Sequence, residues 1–187
     1  MMTKGRAIVT EMVVTPAAGL VALDLWHDTD HATAAAELGI ALPGPGQALA
    51  PTLAPTQGMA QGMVLRVAPR RWWLDGAGFP ATVPATTGVV TAVGGAWNRV
   101  RLSGAGWRDL LMQSGLIDAE NPAFGPGSVA VTPLCHVRCA VHVRATAQCD
   151  VFVPRSYTEH CLSLWRGLGW HEVAPESGEL REAAHLS

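Results

Sequence analysis

From Trp97 to Leu102 apolar and polar side chains alternate with a period of two, which predicts a half-buried strand with Arg99 and Arg101 opposite Val100 and Leu102. The period then lengthens: from Ser103 to Gly115 the residues Trp107, Leu110, Leu111 and Ser114 recur on one side, as on an amphipathic helix laid on a sheet. Residues 129–134 and 137–143 form the strongest predicted strand pair. Cys135, Val137, Cys139, Val141 and Val143 share one face, and His136, Arg138, Ala140, His142 and Arg144 share the other, so one face should be core and the other solvent or an interface. A strand over 151–153 follows. Ser156-x-x-Glu159 then reads as a capping box, opening a helix whose apolar stripe is Tyr157, Cys161, Leu164, Trp165 and Leu168.

The first third of the chain is less regular. Residues 6–26 predict one or two strands, with Val13-Val14 and the run 20–23 divided by turn material from Pro16 to Gly19. Asp28, Thr29 or Asp30 should cap a short alanine-rich helix that stops at Gly39. Residues 43–62 are rich in Pro, Ala, Gly and Gln without a period, which predicts a loop. Strands are expected over 63–67 and 72–74, around an Ala-Pro-Arg-Arg turn, and from Gly88 to Val93; residues 175–187 should fray.

At 187 residues the chain suits a single domain, 1–187: an N-terminal part to residue 35, the loop 43–62, a core over 63–170 and the tail. Charged residues make up only 15%, against about 25% in an average soluble domain. Residues 38–65 and 76–98 carry no charge, and segments so poor in solvated side chains are often packed against something. Prolines and glutamines interrupt the first and prolines and glycines the second, which excludes a membrane span, and Glu11 and Pro16 break the run a secretion signal would need. The expected location is the cytoplasm. A net charge of −2 with scattered basic residues gives no footprint for nucleic acid or a membrane surface, and the four cysteines are expected as free thiols.

Candidate chemistry is sparse. Ser103-Gly104-Ala105-Gly106 stands where a dinucleotide fingerprint would, between strand and helix, but its third glycine is replaced by Asp109, which would repel phosphate. Cys135, His136, Cys139 and His142 have the right donors for zinc, yet strand alternation puts the thiols and the imidazoles on opposite faces. His160 and Cys161 are adjacent on a helix and point about 100° apart, so they form no nucleophile–base pair. Asp118 and Glu120 lie in a Pro/Gly turn. Of the seven tryptophans, Trp107 and Trp165 belong to helix stripes, while Trp26, Trp72 or Trp73, and Trp97 are candidate anchors at a protein interface.

In order and spacing, Leu38-Gly39-x-x-Leu42-Pro43, Ala68-Pro69-Arg70-Arg71-Trp72-Trp73-Leu74, the run from Trp97 to Gly104, the stretch from Leu116 to Phe124, Thr132-x-Leu134 and Arg155-Ser156 with Leu164-Trp165 form a pattern. Over residues 36–170 it resembles the gamma subunit of heterotetrameric sarcosine oxidase and the small subunit of N-methylglutamate dehydrogenase. Ala68 stands where that family often has glycine, and Arg70-Arg71 where acidic residues are common.

The resemblance implies an α+β fold, a mixed and mainly antiparallel sheet with helices packed on it, like part of the folate-binding aminomethyltransferase fold. It implies a non-catalytic structural subunit of a complex that oxidatively demethylates an N-methyl amino acid and passes the one-carbon unit to tetrahydrofolate. FAD, FMN, NAD, tetrahydrofolate and zinc would belong to the alpha, beta and delta partners, with the large alpha subunit as the main contact. No catalytic, cofactor or metal residue is expected here. The expected subunit surface is Arg70, Arg71, Trp72, Trp97, Arg99, Arg101 and Arg155. The alternative is a free-standing folate-binding or aminomethyltransferase-like protein, for which Asp109 is the acid nearest the strand-to-helix region; a small zinc protein is a third reading.

Overall fold

The computed structural model describes residues 11–50, 61–79 and 82–175. The start of the first expected strand at residue 6, the middle of the 43–62 loop and nearly all of the expected frayed tail lie outside them. In chain order the strands are β1 Glu11–Pro16, β2 Val21–Leu25, β3 Ala48–Leu49, β4 Gln61–Ala68, β5 Arg71–Ala77, β6 Gly88–Ala92, β7 Trp97–Ser103, β8 Val129–Leu134, β9 Val137–Ala145, β10 Gln148–Pro154 and β11 His171–Glu172. The helices are α1 His31–Leu38, α2 Trp107–Ser114 and α3 Thr158–Gly167.

These strands make two sheets where one was expected. The first has the order β11-β1-β7-β10-β9-β8 and the second β3-β4-β5-β2-β6; only β1 with β11 is parallel. β1 and β2 therefore part company at the turn around Gly19, each joining a different sheet. β3 falls within the expected loop: Ala48 and Leu49 pair with Leu65 and Val64.

Alternation along the strands sorts the apolar residues into three layers. Val100, Leu102, Val141, Val143, Val151 and Val153 pack beneath α2 and α3, where Trp107, Leu110, Leu111, Cys161, Leu162 and Trp165 are all buried. Leu65, Val67, Trp73, Ala140 and Phe152 lie in a middle layer between the sheets. Val64, Trp72, Leu74, Leu23 and Leu25 face α1 with Ala34 and Leu38. The order is thus α2/α3, first sheet, second sheet, α1, the usual way for sheets with one apolar face each to hide both sides.

Helix ends follow local chemistry, with two corrections. α1 closes at Gly39, whose φ of 63° suits a residue without Cβ, and its amide returns to the Ala36 carbonyl at 3.2 Å. α2 begins at Trp107 rather than at Ser103, which ends β7. The expected capping box at Ser156 is not formed. Residues Arg155–Tyr157 are a 3-10 turn, no side chain caps α3, and Glu159 binds Arg166 at 2.7 Å instead.

Candidate functional site

The middle layer carries charge as well as apolar side chains. Arg99 and Arg101 on β7 do lie opposite Val100 and Leu102, but that face is turned to the second sheet and not to solvent. Register places Asp150 beside Arg101 across β10 and β7. Arg101 gives it two hydrogen bonds, Nε to Oδ1 at 2.8 Å and Nη2 to Oδ2 at 3.3 Å. Arg144 reaches Oδ2 at 3.4 Å, and Arg99 Nε stands 3.8 Å away. Arg99 also pairs across the layer with Asp75 on β5 and lies 5.4 Å from the centroid of the Phe152 ring. Asp150 is fully buried, and the side chains of Arg99 and Arg101 are only 14% and 16% exposed.

His142, on the same face of β9, is buried and its Nδ1 has no hydrogen-bond partner among the described residues. Burial lowers its pKa to about 4; Asp150 opposes the shift, while Arg144, Arg99 and Arg101 add to it. The face expected to be solvated or intermolecular is therefore an internal ionic layer over β7, β9 and β10.

Below the first sheet the Cys161 thiol lies within hydrogen-bonding reach of those of Cys135 and Cys139. The bond to Cys161, with burial, pushes the Cys135 thiol far up. Cys161 reaches about 12, because the bond from Cys135 lowers it by less than the bond to Cys139 and burial raise it. Protonated, buried thiols pack as small hydrophobes and make poor nucleophiles or ligands. His160 is turned away from them, its Nε2 at 3.2 Å from the Cys135 carbonyl oxygen. Cys135 and His136 are not in a strand: they form the two-residue turn between β8 and β9, with φ of 51° and 64°. Among the described residues no group of three or more His, Cys, Asp or Glu is placed to hold a metal ion.

The seven residues expected at a subunit surface separate into two groups. Trp72 is committed to the chain's own core, 2% exposed with its Nε1 donating to the Pro43 carbonyl at 3.0 Å. Arg99 and Arg101 are equally committed to the ionic layer. Arg70, Arg71 and Arg155 are exposed, and Trp97 is half-buried. Arg70 donates to the Trp26 carbonyl, while Arg71 forms a two-point pair with Asp24, a bond that raises its pKa. Asp109 is exposed on the first turn of α2. Trp107 and Trp165 lie in the core as their stripes implied, their indole N–H groups bonded to the Thr146 carbonyl and the Ser114 hydroxyl.

Where β4 and β8 meet, the two sheets are joined at one end and open at the other. The Val129 amide donates to Gly46, the Ala48 amide to Gly127 and the Arg66 amide to Gln47. Past this joint the seam opens into a cavity of about 170 Å³ lined by Trp73, Trp97, Val131, Ala140, Arg71 and Arg138, among others. The indoles of Trp73 and Trp97 meet edge to face, 4.7 Å between centroids. A shallower space of about 290 Å³ continues along Val67, Ala68 and Arg66.

Sequence reasoning did not single out Asp150, Asp75 or a role for Arg138. Each acid does leave a trace, as one carboxylate inside an otherwise apolar strand, in Cys149-Asp150-Val151 and Leu74-Asp75. Such an acid needs a cation from a neighbouring strand. The stripe expected to bury α3 is also divided: Cys161 and Trp165 are buried, whereas Tyr157, Leu164 and Leu168 are 52%, 45% and 46% exposed.

No family model and no curated protein matches the sequence. Among solved structures, the chain is similar to a chain of the heterotetrameric sarcosine oxidase of Corynebacterium sp. U-96, solved in complex with pyrrole 2-carboxylate. The match has a TM-score of 0.63 at 19% identity, over 84% of this chain and 84% of that one, and it establishes a shared fold.

Proposed function

We propose that this chain is a non-catalytic small subunit, of the gamma type, in a cytoplasmic sarcosine oxidase-like complex. The observation that carries the reading is the extent of the shared fold: it spans 84% of a chain taken from a heterotetramer, so it is not confined to one common motif. On this reading the layered fold is a fragment of the folate-binding aminomethyltransferase fold. The complex would oxidise an N-methyl amino acid and deliver the one-carbon unit to tetrahydrofolate.

FAD, FMN, NAD, tetrahydrofolate and zinc would then be held by the alpha, beta and delta partners, chiefly alpha for contact with this chain. Two features of the chain support a scaffolding role. Asp150, Asp75, Arg99 and Arg101 are paired with one another, and Tyr157, Leu164 and Leu168, on and beside α3, are about half exposed, as on a docking helix. No helix among the described residues is long and apolar enough to cross a membrane.

Native mass spectrometry of the chain, affinity-purified from its own cells, tests the proposal. Equal stoichiometry with a large flavin-containing chain and two others is the expected result. A bare 19.7 kDa monomer overturns it.

A further inference from the structure

The seam cavity joins three properties that are seldom found together on a surface used only for packing. Its walls are aromatic and aliphatic: Trp73 from the second sheet, and Trp97, Val131 and Ala140 from the first. Its volume of about 170 Å³ compares with the roughly 150 Å³ of apolar cavity that admits a benzene ring, and it falls below the range of drug-sized sites. The charge at its edge has one sign. Arg71 and Arg138 line it, and no acidic residue does.

The two arginines are not equivalent. Arg71 is balanced by Asp24 through two hydrogen bonds. Arg138 is exposed, and no described residue takes a hydrogen bond or ion pair from its five N–H donors. Behind the Trp73 wall stands Phe152, edge-on at 5.5 Å between centroids, with the Arg99 guanidinium over its ring. A planar guanidinium beside a flat apolar slot matches a planar carboxylate attached to a flat apolar body.

We propose that this cavity is a binding site for a small planar organic carboxylate, whose ring lies against Trp73 and Trp97 and whose carboxylate is held by Arg138. The site is separate from the subunit reading and does not depend on it. A ring of five or six atoms fills the cavity, and the carboxylate sits at the mouth, where it keeps part of its hydration.

Benzoate and its neutral isostere benzamide test the site on the purified full-length chain, with tryptophan fluorescence as the readout. Benzoate should change the emission saturably, with a dissociation constant of about a millimolar or below, as suits a ligand of so few atoms. Benzamide should bind at least tenfold more weakly. Arg138→Gln should lose about tenfold for benzoate with unchanged melting, while Arg155→Gln, on the exposed turn before α3, should bind as the parent does. No saturable response to benzoate, equal affinity for benzamide, or full affinity in R138Q each overturns the proposal. The comparison of the two ligands stands on the unmodified chain, whatever either variant does to folding.

Discussion

Asp150 receives both Nε and Nη2 of Arg101 from the adjacent strand, and it does so fully buried, in the layer between two sheets. A two-point pair of this kind is directional as well as strong. With Arg99, Arg144 and Asp75 it fixes how the second sheet lies on the first, a task that an aliphatic layer would leave to shape alone.

Replacing Asp150 with alanine should therefore act on folding. It removes the carboxylate that takes both hydrogen bonds of the buried Arg101, and losing one partner of a buried pair costs about 3–5 kcal/mol. Arg101→Ala should cost a similar amount, and the double variant less than the sum. Urea unfolding of the four proteins measures this. A double variant as costly as the sum would show that the two side chains act separately.

His142 makes stability depend on pH. The unfolded chain takes up a proton near pH 6.5, which the folded chain refuses until about pH 4. Stability therefore falls as pH drops through that window and is unaffected by this group above it, the total being about 3 kcal/mol from the displacement of the pKa. In His142→Gln this part of the slope should vanish. Denaturation midpoints at pH 7 and pH 4.5, compared between the two proteins, check it.

What could be read from the sequence was periodicity, and what could not was the partner of each face. The alternation of Arg99 and Arg101 with Val100 and Leu102 correctly divides β7, but a polar face reads the same whether water or a second charged sheet covers it. The division became visible only when Asp75, 24 residues away, arrived opposite Arg99. Likewise, the sequence divides the pair at residues 135–136 as the structure does, but alternation also gives Cys135 and His136 places on strand faces that they do not take. Two residues at positive φ turn the chain there, without the Asn-Gly that usually signals such a turn. The cavity at Trp73 and Arg138 was illegible for the same reason, since its walls come from different sheets.

That turn can be improved. His136 is exposed with φ of 64°, a region in which a Cβ costs about 1–2 kcal/mol and glycine is at ease. Glycine gives some of this back through its freer unfolded state, so His136→Gly should raise stability by roughly 0.5–1 kcal/mol. Cys135 is the worse position to alter, because its side chain is buried against the core below the first sheet. Thermal melting of the single variant decides the matter: a lower midpoint would mean that the imidazole has a use in the turn.

Tyr157 on the turn before α3, Leu164 on α3 and Leu168 at its C-terminal end are about half exposed, whereas Cys161, Leu162 and Trp165 of the same helix are buried. Single exposed hydrophobes are ordinary, but three along one helix make a stripe of the sort that partner chains cover. Leu164→Lys with Leu168→Lys removes apolar area without touching the core, so the fold should melt within about 0.5 kcal/mol of the parent, as surface changes do. If the stripe docks a partner, co-purification with the other subunits should drop at least tenfold. Full recovery of the complex would move the interface elsewhere, to the exposed face that carries Arg70, Arg71 and Trp26, where the Trp26 ring is 45% exposed and tied by its Nε1 to the Ala85 carbonyl.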